Sequence, residues 1–235
     1  MDIRNVYATS YVPYSQQPEA AVVYSSEGHY FAGKRIENVS YPLSISAAQN
    51  ALFCCLSEGD TPKKLMTTNP GDRLLSFWKK EYSVDLGTLD TGDFPDVNFS
   101  GISINKDSDP AVIMSSLLDR ALVEYSNFPV AALVETETGY IGGVNIECSS
   151  WNMGLCAERI AIMKALTYSR VELGDLHILS RDGEFSSPCG ACRQVIHEHL
   201  SSRQIHLYHT DHSQSIHFSE DLLPFSFHSP SLLNS

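Results

Sequence analysis

Residues 124–166 read EYSNFPVAALVETETGYIGGVNIECSSWNMGLCAERIAIMKAL, and residues 13–56 read PYSQQPEAAVVYSSEGHYFAGKRIENVSYPLSISAAQNALFCCL. The earlier stretch is a degenerate copy of the later one. Glu37 falls opposite Glu147 at an offset of 110 and Tyr14 opposite Tyr125 at 111, so one residue is inserted around an intervening turn. Pro18/Pro129, Ala20/Ala131, Ala21/Ala132, Gly28/Gly139, Gly33/Gly143 and Ala51/Ala161 coincide as well. A repeat of this length marks a whole structural unit. The later copy carries the clearer pattern. DPAVIMSSLLDRALVEYS opens with Asp109-Pro110 as cap and first turn, then sets Ile113, Met114, Leu117, Leu118, Ala121 and Leu122 on one helical face. FPVAALVET and residues 140–147 read as strands of a hairpin around Gly139. Residues 156–166 read as a helix, LHILSRD as a strand, CGACRQVIHEHL as a helix, QIHLYHT as a strand and SQSIHF as one more. The alternation predicts an α/β fold of two three-layer lobes, each a mixed β-sheet flanked by helices. The expected boundaries are 1–82 for a truncated lobe without a leading helix, 83–107 for a linker rich in Asp, Gly, Ser and Asn, and 108–235 for a full lobe.

Composition narrows the function. The 235 residues are 43% hydrophobic and contain no apolar run long enough to cross a membrane. The opening MDIRNVYATSYVPYS has no apolar signal core, so a cytoplasmic protein is expected. With 28 acidic against 16 basic residues the net charge is −12, which disfavours nucleic-acid backbones and favours a small neutral substrate. Of six cysteines, adjacent Cys54 and Cys55 lie in NALFCCL and read as small core residues.

Cys189 and Cys192, in SPCGACRQV, are the clustered pair. Alone they suit a redox couple, a structural zinc or part of a catalytic zinc site. Cys156, in GLCAERIAI, is a natural third ligand, because all three residues sit at or near helix starts, where the dipole favours thiolates. Three thiolates leave one tetrahedral position open, as in catalytic zinc, whereas a closed site would need a fourth such as Cys148. Arg159 and Arg193 would offset the excess negative charge. Glu158, two residues beyond Cys156, suits general acid–base work beside an activated water. His206, His209 and His212 invite a second metal site, but the first two should face opposite sides of a strand, so a solvated, metal-free set is expected.

A Cys, a nearby Glu and then P-C-x-x-C is the pattern of zinc nucleobase deaminases. YSNFPVAAL, NIE at 145–147, CAER at 156–159, PCGACRQ at 188–194 and the terminal DLLPFSF together resemble the small, all-cysteine cytidine deaminases. The resemblance spans residues 109–227. It implies one Zn²⁺ per chain on Cys156, Cys189 and Cys192, with Glu158 as proton shuttle in hydrolysis of cytidine or 2′-deoxycytidine. It also implies stacking of the base on Phe128, ribose contacts from Asn145 and Glu147, and base-edge contacts from backbone around Ala157 and 187–188. Alternatives within the same chemistry are a blasticidin-like nucleoside or a cytosine in a polynucleotide. A non-catalytic zinc scaffold is the alternative outside it.

In the earlier copy Ser46 stands for Cys156, Ala48 for Glu158, and NPGDRL sets Gly71 and Leu74 against the other two ligands, so no zinc is expected there. Active sites of the resembled family are completed by neighbouring subunits. That implies a homodimer mimicking a four-lobed assembly, with Tyr41 covering a pocket of the later lobe and Phe227 closing one too.

Overall fold

The computed structural model describes residues 2–92, 94–95, 97–99, 101–169, 172–224 and 226. The chain divides into two compact units, one made of Met1–Glu37 and Ser44–Gly101, the other of Asn38–Leu43 and Ile102–Ser235. The short segment Asn38–Leu43 thus belongs to the second unit. None of the described helices is long and apolar enough to cross a membrane.

The first unit has α1 (Ile3–Ala8), β1 (Ala20–Ser25), β2 (Tyr30–Lys34), α2 (Ala47–Ser57), β3 (Pro62–Thr67), α3 (Leu75–Tyr82) and β4 (Asp85–Thr88). Its sheet order is β2-β1-β3-β4, antiparallel except for the parallel β3/β4 pair. The second unit has β5 (Ser103–Ile104), α4 (Pro110–Leu117), β6 (Val130–Thr136), β7 (Gly139–Val144), α5 (Ala157–Tyr168), β8 (Leu176–Ser180), α6 (Gly190–His199), β9 (Gln204–Tyr208) and β10 (Gln214–Phe218). Its sheet order is β10-β9-β8-β6-β7-β5, with β8/β9 parallel. Both units are α/β with a mixed sheet, as the alternation predicts.

The repeat holds in backbone detail. Isolated bridges join Tyr11–Ile36–Ile45 in one unit and Leu122–Ile146–Leu155 in the other. Gln16 and Asn127, equivalent turn residues, both take positive φ, 58° and 51°. Gly33 and Gly143 are kept for one reason: a Cβ there would collide with the backbone nitrogen of Ala51 or Ala161 in the crossing helix. The strand and the helix touch without a side chain between them.

Three expectations need correction. The first unit does have a leading helix, α1, capped by Asp2; only six residues long, it falls below what periodicity detects. The supposed linker carries β4 and β5, and β4 pairs Lys64–Thr67 with Asp85–Thr88. DLGT is polar by itself; buried Val84 and Leu89 on its flanks anchor it. The first unit is therefore not cut short at α3; what it lacks among the described residues are counterparts of the two edge strands, β5 and β10. The third concerns α4: Asp109 caps it and Ile113, Met114 and Leu117 are buried, but the helix stops at Leu117 and Leu122 is exposed. Cys54 and Cys55 are wholly buried in α2, as expected.

Gly143→Ala should lower the denaturation midpoint of the second unit, at a cost of about 1–3 kcal/mol for overpacking a backbone contact. Equilibrium unfolding in guanidinium measures it, with Gly101→Ala, where no atom lies within 4 Å, as a neutral control.

Candidate active site

Cys156 and Cys189 occupy the cap positions of α5 and α6, with Cys192 in the first turn of α6. Neither cap cysteine spends its side chain on the helix backbone. The equivalent of Cys156, Ser46, does: its Oγ accepts from the Gln49 amide at 3.3 Å. The three Sγ atoms lie within 4.8 Å of one another, the one such metal-capable group among the described residues. Cys189 Sγ is 3.8 Å from Cys156 Sγ and 3.5 Å from Cys192 Sγ. Hydrogen bonds from those two sulfurs hold the Cys189 thiol far below its ordinary pKa, and the same bonds push Cys156 and Cys192 up. Three sulfurs that cannot all ionise alone are the donor chemistry a soft dication completes. Cys148 turns its Sγ to the Ser150 carbonyl at 3.2 Å, outside the group, so the donors leave one coordination position open.

Glu158 is buried in the first turn of α5 beside these sulfurs. Burial raises its pKa to about 7, with the charge on Cys189 adding to the rise and a Cys192 hydrogen bond opposing it. Arg159 donates Nη2 to the Leu43 carbonyl at 3.0 Å, and its Nε is buried without a hydrogen-bond partner among the described residues. Burial pulls the Arg159 pKa down, while the three sulfurs and Glu158 pull it back up. Arg193 goes elsewhere: Nε donates to Pro188 O at 2.9 Å and Nη2 to Ser187 Oγ at 2.9 Å, tying down the loop before Cys189.

Beside the sulfurs a cavity of about 430 Å³ is lined by Tyr125, Ser126, Asn145, Ile146, Glu147, Cys148, Trp151, Gly154, Leu155 and Cys156. Asn145 is held at both ends of its amide: Oδ1 accepts from Val130 N at 2.8 Å and Nδ2 donates to Phe128 O at 2.9 Å. Glu147 Oε2 accepts from the amides of Tyr125 (2.8 Å) and Ser126 (3.1 Å). Burial raises the Glu147 pKa, but the Ser126 and Tyr125 hydrogen bonds outweigh it, and the net shift is downward. Phe128 is half-exposed outside this lining, its ring 3.5 Å from where Gly183, at φ +92°, would carry a Cβ. Ala157 is fully buried at the start of α5. Tyr41 does not line the cavity; it is 79% exposed, although its neighbour Val39 donates to Glu198 Oε2 at 2.8 Å. Phe227 lies outside the described residues. Tyr125 and Trp151 line the cavity without having stood among the expected site residues, and Cys148 lines it instead of ligating. Alignment of Tyr125 with Tyr14 and of Trp151 with Tyr41 was the available signal.

The first unit keeps the frame and fills the site. Glu37 Oε2 accepts from the Tyr14 and Ser15 amides, both at 3.1 Å, as Glu147 does from Tyr125 and Ser126. Arg35, in the place of Asn145, donates Nε to Glu37 Oε1 at 3.0 Å and Nη1 to Glu19 Oε1 at 2.9 Å. Leu74 holds the cap position that Cys189 holds in α6, which shifts by three residues the alignment expected from NPGDRL.

The cytidine and deoxycytidylate deaminase zinc-binding region matches residues 106–207 and, in a second form, residues 5–68. Over 103 residues the chain is 34% identical to cytidine deaminase of Mycoplasma genitalium, covering 43% of this chain and 78% of that protein. The chain belongs to the cytidine deaminase family. A second relative, cytidine deaminase of Sporosarcina psychrophila, is 44% identical over 81 residues, 34% of this chain and 60% of its own length. Cytidine deaminase from Burkholderia pseudomallei, a solved structure, aligns at 28% identity over 51% of this chain and 100% of its own, with a TM-score of 0.47. For this cytidine deaminase family member, zinc fits the donors of the second unit, whereas the first unit matches the family without offering a cysteine at the equivalent caps.

The raised pKa of Glu158 has a consequence in metal-free protein. Folding favours its protonated form, so that contribution is fully present below pH 4.5 and disappears as pH rises through about 7. Above that window, metal-free Glu158→Gln should exceed metal-free wild type in unfolding free energy by roughly 3 kcal/mol, and below it the two should converge. Denaturation at stepped pH in the presence of chelator reads the difference.

Proposed function

We propose that the chain hydrolyses cytidine, and 2′-deoxycytidine, to the uridine nucleoside and ammonia, at one zinc site per chain in the second unit. The observation that carries this reading is a buried carboxylate beside three convergent sulfurs with no fourth protein donor among the described residues. Cys156, Cys189 and Cys192 would hold the zinc. Zinc, when bound, supplies the Lewis acidity that makes water a nucleophile near neutral pH. Glu158 takes one proton from the water that attacks C4 and passes it to N3; it then takes the second from the resulting C4 hydroxyl and delivers it to the amine, which leaves as ammonia as the C4–N bond breaks and C4=O forms. Burial beside the sulfurs disfavours a permanently ionised carboxylate, so the same side chain can serve as base and then as acid. Arg159 balances the surplus charge of the sulfurs, which the field it feels from them supports.

The nucleoside sugar would sit on Asn145 and Glu147. In Glu147, Oε2 is committed to the loop amides, so the ribose hydroxyl is assigned to Oε1. The first unit supports this: Arg35 takes the equivalent oxygen of Glu37, standing where a substrate hydroxyl would donate. Phe128 offers its ring to the base, and the amides near Ala157 its edge. A net charge of −12 suits a free neutral nucleoside better than a polynucleotide.

A homodimer completes the reading. Tyr41 stands exposed on a segment anchored at Val39 and Leu43, and would cover a pocket of a second copy, with Trp151 at the repeat-related place.

Zinc analysis of the full chain should give one metal per chain, and cytidine should be deaminated. Glu158→Ala should keep the zinc and lose about 10²–10⁴-fold in kcat. Two zincs per chain, or undiminished turnover in Glu158→Ala, would overturn the assignment. Tyr41→Ala should raise KM roughly three- to tenfold while leaving zinc content unchanged; unaltered kinetics would remove Tyr41 from the site.

A further inference from the structure

The loop from Arg181 to Pro188 delivers two parts of the site: Gly183 backs the Phe128 ring, and Pro188 leads directly into Cys189. A loop that places a metal ligand needs anchors of its own, because α6 fixes Cys189 from one side only. These anchors come from the turn between β9 and β10. Thr210 Oγ1 donates to the Gly183 carbonyl at 3.0 Å. Ser186 Oγ donates to the Tyr208 carbonyl at 2.5 Å and accepts from Ser180 Oγ at 2.8 Å. The Ser186 amide donates to His209 Nδ1 at 3.3 Å.

His209 is not the solvated residue expected from the sequence. It is 7% exposed, and Phe185 stacks on its ring at 4.4 Å with an interplanar angle of 21°. A backbone amide can only donate, so Nδ1 holds the lone pair and the proton sits on Nε2. Nε2 then donates to Ser215 Oγ on β10 at 3.0 Å, and the Ser215 hydroxyl turns to His217 Nε2, also at 3.0 Å. Each bond in this series polarises the next. The first unit, without cysteines at its helix caps, has no counterpart of β10 among its described residues.

We infer that His209 is a positioning residue for Cys189, its Nδ1 lone pair fixing the Ser186 amide and so the approach of the loop to the sulfurs, while Thr210 separately fixes the Phe128 end. The inference rests on the zinc-site reading above. The two anchors should therefore fail differently. His209→Ala and His209→Gln should release zinc to a chelator about tenfold faster or more and lower kcat, because a residue that orients a ligand typically contributes 10–100-fold. His209→Asn, whose Oδ1 can take the place of Nδ1, should restore both to within about threefold of wild type, on that same scale of outer-shell effects. Thr210→Val should leave zinc release unchanged and raise KM. Thermal unfolding of each full-length variant separates these effects from loss of fold, and the Asn/Gln comparison stands even if the alanine variant unfolds. The inference is overturned if Asn and Gln behave alike, or if His209 variants release zinc at the wild-type rate while wild type is active. Failure of the underlying reading is separate: wild type itself would then hold no zinc or leave cytidine untouched.

Discussion

Three sulfurs within 4.8 Å cannot all be thiolates unless a cation joins them. Without one, hydrogen bonds among the sulfurs pull the Cys189 thiol down and push Cys156 and Cys192 up. The surrounding fold serves that convergence. Two helices start at it, both with a cysteine in the cap whose side chain makes no capping bond. For α5 the missing side-chain cap costs helix stability, typically ~1 kcal/mol. Ser46 shows the alternative: where no metal is to be held, the same position returns to ordinary capping.

The repeat separates what the scaffold requires from what the chemistry requires. Glu37 and Glu147 make the same pair of bonds to loop amides, so that glutamate is retained for the loop whether or not substrate is present. Gly33 and Gly143 are kept by backbone contact alone. The differences concentrate at Ser46/Cys156, Ala48/Glu158 and Arg35/Asn145, where chemistry would be done.

Much of this was legible in the sequence because the repeat supplies its own control. Asp109-Pro110, the hairpin at Gly139 and the order of strands and helices are local signals and were readable as such. The cysteine triad was readable because each member stands at or near a helix start. β4 was not, since a four-residue polar strand exists only by pairing with Lys64–Thr67. His209 was misread for a similar reason: strand alternation gives a side chain's direction, but its burial comes from Phe185, on a loop 24 residues earlier in sequence. Arg193, adjacent to a ligand, was expected to serve the metal's charge; its donors go to Pro188, Ser187 and the Leu222 carbonyl instead.

The arginine in the first unit also holds that unit's equivalent of the Asn145/Glu147 frame together. Glu19 and Glu37 are each under a tenth exposed and both lean on Arg35, with Asn69 adding a bond to Glu19. Asn at position 35 would remove the cation that both buried carboxylates share, leaving Glu37 the Tyr14 and Ser15 amides and Glu19 the Asn69 amide. One arginine thus ties two buried carboxylates from separate parts of the first unit, so a change at position 35 cannot be made without disturbing both.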